Sequence, residues 1–405
     1  MKQYYIVITP FFPNKESFRG SFIYDQVKAI ERNSNYQVLV FKPKPINSKE
    51  KDYNYNGIRV FLFYDIQMPS YFFNGFSNGI NNITFLKKIK QSQIDINNIA
   101  IAHAHTARFA SFSLALKKIN PHIKTLVQHH DPDPFNIRNG FLSTFKWNAI
   151  YRTRMSSKLF NQIDCHICIS KFVADSLCNF PKPVKNLYLD SFKKNLELVK
   201  REPSIKIKKL YILYNGVDTS IFYPRSRKQH QTFTIGCVAN FVDWKSQETL
   251  IYAVYLLIKK SLKIKVRFVG SGPTLQMCIN LANKLGISES IEFSKEIQHQ
   301  DLATFYNNLD LFVLPSYFEG FGCVFTEAAA CGTPYMICTN QGASEYIPRN
   351  EASLWTFTPK DYYELSQKIE YYINNRPEQH LIKSFNIDHL IKDFINFLQH
   401  YECNH

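Results

Sequence analysis

The chain has 405 residues, 45% of them hydrophobic and 20% charged, with a net charge of +16 and nine cysteines. This length exceeds one ordinary core and the composition is globular, which excludes a disordered chain and predicts two domains. The odd number of scattered cysteines argues against a disulfide framework and for a reducing compartment.

The first apolar run, Tyr4–Thr9, is too short for a secretory signal and is ended by Pro10 and Pro13. No stretch approaches the ~20 apolar residues of a membrane-spanning helix. A soluble or peripheral protein is expected, cytoplasmic and at most at the inner face of the plasma membrane. Phe18-Arg19-Gly20-Ser21 follows the first run. Further runs, rich in Val, Ile, Phe and Tyr, occur at Tyr36–Lys42, Ile58–Tyr64, Ile99–Ala104, Lys124–His129 and Cys165–Ser170. After a basic stretch the series restarts at Thr232–Ala239, Lys265–Gly270, Ser290–Phe293, Leu309–Pro315 and Tyr335–Thr339. Helical spacing fills the gaps, as in Leu250, Val254, Leu257 and Ile258. Strand and helix in alternation predict the α/β class, with parallel sheets covered on both faces. Two such series predict two Rossmann-like parallel-sheet domains facing across a cleft at the carboxyl ends of their strands.

The expected division is an acceptor-side domain over residues 1–210, a second domain over 211–385 and a terminal helix over 386–405. Turn chemistry at Tyr214–Asp218 and a polar linker at Pro224–Lys228 mark the join. The last helix carries Leu390, Ile391, Phe394, Ile395 and Leu398 at helical spacing, so it needs a surface, the N-terminal domain being one candidate.

Two polar clusters end strands in the first half. His103 and His105 close one run on a single face. His129-His130-Asp131-Pro132-Asp133 closes the next, and a histidine pair with two carboxylates at a strand end suits proton transfer or ligand contact. Asp131 and Asp133 also spell a metal-binding Asp-x-Asp, a use we set aside because Lys245 and a helix start suit a diphosphate without a metal. Cys165 and Cys168 form a CxxC that reads as part of a buried strand rather than a metal site. Residues 182–209 hold nine Lys or Arg against three Asp or Glu. The aromatic and basic segment Phe141–Arg152 reads equally as a helix lying on an anionic membrane and as a core helix with a basic outer face. No zinc-finger, RRM-like or KH-like pattern supports nucleic acid as the partner.

The most informative stretch runs from Leu314 to Pro334. A strand ends at Pro315, a loop carries Glu319, Gly320, Phe321 and Gly322, and a helix runs from about Gly322 to Cys331. The glycines let backbone approach a ligand, and the new helix offers N–H groups and a positive dipole end, which together suit a phosphate. Glu327 lies within an otherwise apolar helix, where a carboxylate is costly unless it accepts hydrogen bonds, and a ribose diol supplies two.

Glu319 and Glu327, set in Pro-Ser-x-x-Glu-Gly-Phe-Gly and followed by Glu-Ala-x-Ala-x-Gly-x-Pro, resemble the Glu-x7-Glu signature of family 4 retaining glycosyltransferases of the GT-B fold. Val269-Gly270-Ser271-Gly272-Pro273, Asn215-Gly216-Val217-Asp218 and Gln341–Glu345 are similar to other motifs of that family, though not in that order along the chain, and the resemblance implies that Gly270 binds the donor. The resemblance implies that Glu319 contacts the donor sugar, Glu327 the ribose, and the amides near Phe321 and Gly322 the diphosphate. It implies that Lys245 faces the phosphates, together with an arginine whose position holds Asn240 here; Arg19, Arg225 and Arg349 are possible replacements. It aligns His130 and Asp133 with a family His-Gly-x-Asp whose His is catalytic and reaches the donor sugar and reaction centre, with His129 as the alternative one residue away. It also places His105, His129 and Asp133 on the acceptor side, and likens Phe18–Ser21, with Gly20, to a glycine loop near the phosphate.

A glycosyltransferase taking a nucleotide-sugar such as a UDP- or GDP-sugar, with no metal cofactor and a glycan or lipid-linked acceptor, is the reading these residues favour. A phosphorylase or epimerase on the same fold, and a non-catalytic basic module on membranes, are the alternatives.

Overall fold

The computed structural model describes residues 3–17, 19–66, 77–134, 146–182, 201–226 and 232–400. It divides into one unit of Met1–Asn215 with Ile387–His405 and a second unit of Gly216–Asn386.

The first unit is built on eight strands: β1 (Tyr4–Ile8), β2 (Gln37–Lys44), β3 (Tyr53–Tyr55), β4 (Ile58–Tyr64), β5 (Ile99–His105), β6 (Lys124–His129), β7 (Cys165–Cys168) and β8 (Leu210–Ile212). Their order is β3-β4-β2-β1-β5-β6-β7-β8, and every pair is parallel except β3 with β4. All six apolar runs expected here are strands. Their near-continuous burial, complete from Tyr5 to Ile8, reflects a sheet covered on both faces. The short strands β3 and β8 escaped the sequence pattern because three residues show no period. The Asn56-Gly57 turn, both at positive φ, is the signal that locates β3.

The join falls at Asn215/Gly216 rather than 210/211, because Leu210–Ile212 extends the first sheet. The terminal helix is Ile387–His400. It packs on the helix Ser21–Arg32 and buries Ile387, Ile391, Phe394, Ile395 and Leu398 in the first unit's core. Arg32 donates to both oxygens of Asp388 at 3.1 Å, and Lys124 Nζ donates to the Leu398 carbonyl at 3.1 Å. Residues 146–160 are helical. The side chains of 146–152, residues 141–145 and most of the basic stretch 182–209 lie outside the described residues.

The second unit has six parallel strands: β9 (Phe233–Val238), β10 (Ile264–Val269), β11 (Ile291–Ser294), β12 (Leu311–Leu314), β13 (Tyr335–Cys338) and β14 (Thr356–Phe357), in the order β11-β10-β9-β12-β13-β14. The two-residue β14 is again too short for a sequence pattern. Helices Gln247–Lys259, Leu275–Lys284, His299–Asn307, Cys323–Ala330 and Tyr362–Asn375 join and cover the strands.

Both sheets change direction once. In the first unit the chain runs outward from β1 to β2 and β4, then returns to place β5 on the other side of β1. In the second it runs from β9 to β10 and β11, then returns to place β12 beside β9. Diverging connections leave a crevice at the carboxyl ends of the two central strands, where ligands of such sheets bind. Among the described residues no helix is long and apolar enough to cross a membrane.

Candidate active site

The sequence-predicted residues of the second unit gather where β9 and β12 end. The chain leaves β9 at Val238, passes Asn240 and makes a single 3-10 turn at Asp243–Lys245. It leaves β12 at Leu314, passes Glu319 and begins the helix at Cys323. The two loops are tied together. Tyr317 N and Ser316 Oγ donate to the Trp244 carbonyl at 2.9 and 3.0 Å, and the Tyr317 hydroxyl donates to the Asp243 carboxylate. Lys245 Nζ forms an ion pair with Glu319 Oε2, with only 18% and 12% of the two side chains exposed. Two charges this far from water need each other, so the pair fixes both loops. The expected diphosphate lysine and sugar-contacting glutamate are therefore partners, seventy-four positions apart in sequence.

A third segment holds the Glu319 loop from behind. Ala343 N donates to the Phe321 carbonyl at 2.9 Å, and a Cβ on Gly342 would lie 2.3 Å from Phe321 Cα. The Phe321 ring is buried against Tyr346, at 5.8 Å between centroids. Gly320 is buried in the same loop. Gly322 caps the helix at φ 86, and a Cβ there would meet the Phe325 ring at 2.7 Å. The position needs glycine for its left-handed backbone. The helix Cys323–Ala330 thus opens its positive end at the sheet's carboxyl edge.

Two glycine expectations change. Gly270 has φ 142, and a Cβ would lie 2.1 Å from the Ala239 carbonyl oxygen. It packs the loop after β10 onto the loop after β9, so it positions Asn240 and does not need to face a ligand. Gly20, at φ 94, would press its Cβ within 2.8 Å of the Phe11 backbone, so its role too is to close the loop after β1. Gly270→Ala is expected to lower the stability of the second unit by roughly 2–4 kcal/mol, since it combines backbone strain with overpacking against an immobile carbonyl. Urea unfolding checks this.

Asn240 is exposed, and its carbonyl accepts from Gln247 Nε2 at 3.1 Å. Arg225, one of the residues offered for the absent arginine, is held by its own neighbours. Its backbone N–H donates to Asn307 Oδ1 at 2.6 Å, its Nη1 donates to Thr304 Oγ1 at 3.1 Å, and its guanidinium covers the Tyr223 ring. Arg19 stacks over Phe11 at 3.8 Å in the first unit. Glu327 is also partly satisfied by the protein: Tyr306 OH donates to its Oε2 at 2.8 Å, and His299 Nε2 lies 3.6 Å from Oε1. Neither partner was read from the sequence. Helical spacing places both on the face of one helix, which is the signal that could have found them.

In the first unit, β5 and β6 carry the histidines. His105 is buried, and its Nδ1 lies 3.1 Å from His130 Nε2 with the two rings stacked. His130 is half-exposed and packs against Phe22. His129 is fully buried: its Nδ1 meets Asp133 Oδ2 at 2.8 Å and its Nε2 meets His166 Nδ1 at 3.0 Å. His166 Nε2 in turn faces the Phe160 carbonyl at 3.1 Å. This corrects the acceptor-side expectation for His129, which no ligand can reach. The last residue of β6 points into the layer between sheet and helix, and Asp133 turns back onto it. His105 is likewise buried, between His103 and His130. Burial lowers His103, His129 and His166 to about 3, and holds His105 well below its ordinary value. His130 alone of these five imidazoles is placed to touch a ligand. Among the described residues no three His, Cys, Asp or Glu side chains are grouped to hold a metal ion.

Residues 20–187 match the family described as Glycosyltransferase Family 4, and residues 220–387 match Glycosyl transferases group 1. The chain belongs to the family 4 glycosyltransferases. It is 29% identical over 148 residues to a GDP-mannose-dependent alpha-(1-6)-phosphatidylinositol monomannoside mannosyltransferase of Mycolicibacterium smegmatis, covering 33% of this chain and 39% of that one. This glycosyltransferase-family chain thus spans about two-fifths of the length of the first curated relatives it matches. Solved structures share its GT-B fold. A glycosyltransferase from Rickettsia africae superposes with a TM-score of 0.68 at 16% identity, over 99% of this chain and 100% of that one. Anabaena HepE in complex with UDP and glucose superposes with a TM-score of 0.65 at 15% identity, over 98% and 99%.

Proposed function

We propose that the protein is a retaining glycosyltransferase that moves a sugar from a nucleotide-sugar to an acceptor hydroxyl. The observation that carries this reading is the Lys245–Glu319 pair, at the direction change of the second sheet beside a helix start. Lys245 and the first-turn amides near Gly322 hold the diphosphate, in place of a divalent ion. Glu319 contacts the sugar and Glu327 the ribose. The solved relative with UDP and glucose bound supports the donor class.

No side chain here is needed as a covalent nucleophile. The acceptor hydroxyl attacks on the face from which the diphosphate leaves, and a departing phosphate oxygen takes its proton. Lys245 stabilises the charge that develops on that leaving group, and preorganised positioning supplies the rest of the rate. His130, held by His105, is the catalytic residue that the first unit contributes. The mannosyltransferase relative supports a glycan or lipid-linked acceptor. With the net charge of +16, it also supports a peripheral position at the inner membrane face, in cell-surface polysaccharide or glycolipid synthesis.

A thermal-shift screen against UDP, GDP, ADP and their sugars tests the reading. A ligand at a hundred times its Kd stabilises the protein by about 2.7 kcal/mol. A shift with one nucleotide series is expected, and no shift with any of them overturns the proposal. Retention is checked by the anomeric configuration of the product. A requirement for inorganic phosphate would instead indicate a phosphorylase.

A further inference from the structure

The helix His299–Asn307 turns one face toward Glu327. His299 and Tyr306 are two turns apart and so lie on the same side. The Tyr306 hydroxyl donates to Glu327 Oε2 at 2.8 Å, while His299 Nε2 stands 3.6 Å from Oε1. Tyr306 is fully buried, and its ring is wedged against Phe222 at 6.2 Å and Phe312 at 5.5 Å. Burial and the neighbouring carboxylate hold its phenol well above the ordinary value, so it remains a donor throughout the working pH range. A glutamate side chain has three rotatable bonds and wanders unless something fixes it. Here a rigid phenol fixes one oxygen. An ionised carboxylate offers about four acceptor positions, and Tyr306 uses one.

We infer that Tyr306 is a positioning residue, which aims the remaining acceptor positions of Glu327 at the adjacent hydroxyls of a nucleotide ribose. The site therefore selects ribonucleotides over their dideoxy counterparts. This rests on the placement of the ribose at Glu327 in the proposed function.

The test measures Kd by calorimetry for UDP, GDP and ADP, and for the 2′,3′-dideoxy form of whichever binds. Wild type, Tyr306→Phe, Glu327→Gln and the double variant are compared. The wild type is expected to favour the ribose form by about tenfold or more, as hydrogen bonds to a charged group allow. Tyr306→Phe is expected to weaken the ribose form by about tenfold, to leave the dideoxy form within about twofold, and to cost nothing further in the Glu327→Gln background. Equal weakening of both forms, or none, overturns the inference while the donor site stands. Failure of the wild type to bind any of the three nucleotides overturns the donor site itself. Phenylalanine keeps the ring contacts. If that variant does not fold, 3-fluorotyrosine at position 306 changes only the acidity of the hydroxyl. The ribose affinity must then move while the dideoxy affinity does not.

Discussion

Lys245→Ala is expected to lower the rate of sugar transfer by roughly a hundredfold to a thousandfold, the usual loss when one preorganised charge or donor is removed from a developing anion. The geometry adds a second effect that must be separated from the first. Removing the lysine leaves the Glu319 carboxylate largely buried and without its cation, which costs stability as well as activity. The double variant Lys245→Ala with Glu319→Ala removes both charges together. It should recover most of the lost stability, because no unpaired charge remains, and should recover no activity. Initial rates with the donor found by the thermal-shift screen, alongside urea unfolding of the three variants, give both quantities. Wild-type rates in Lys245→Ala would remove the lysine from the leaving-group site. Activity that returns with stability in the double variant would reduce the pair to a structural tie.

Acid is expected to unfold the first unit before the second. His103, His129 and His166 are buried as neutral rings and held at about 3. The groups facing them are Tyr5, His105 and His130 at His103, Asp133 and His166 at His129, and His129 and Lys208 at His166. Their folded values lie below the unfolded value near 6.5, so protonation favours the unfolded chain. The stability they contribute is complete above about pH 6.5 and is lost as pH falls toward 3. Each ring kept neutral at pH 5 costs on the order of 2 kcal/mol, and the three do not add in full, because His129 shares hydrogen bonds with His166 and Asp133. The combined cost is a sizeable part of the stability of a domain, about 5–15 kcal/mol. The described histidines of the second unit, His299 and His380, are half-buried and exposed. Calorimetry between pH 7.5 and pH 5, with proteolysis and mass mapping to assign the transitions, should show first-unit segments cleaved first. Equal resistance of both units at pH 5 would show that the buried imidazoles take up protons without unfolding.

Much of this arrangement was legible in the sequence because it depends on local pattern. Continuous runs of Val, Ile, Phe and Tyr specify strands covered on both sides, and a period near 3.6 specifies the helices between them. The helix after Gly322 and the terminal helix with Ile391, Phe394, Ile395 and Leu398 were legible for the same reason. So was the second-unit site as a region, since Glu319, Glu327, Lys245 and the glycines all follow strand ends. The very short strands β3, β8 and β14 were not, because two or three residues carry no period.

Partnership was decided by the tertiary structure alone. Which side chain meets Lys245, Glu327 or His129 depends on strand order, and the sequence pattern does not encode that order. Placing β12 beside β9 brings Glu319 to Lys245 across seventy-four positions. Packing the helix His299–Asn307 against Cys323–Ala330 brings Tyr306 to Glu327. Two adjacent histidines that look equivalent in sequence part company at the end of β6: His129 turns inward to Asp133 and His166, and His130 turns toward solvent, because neighbouring residues of an extended chain face opposite ways. Residue types and their spacing thus fixed which chemistry this chain carries, while the long-range pairing of its strands determined which of those residues act together.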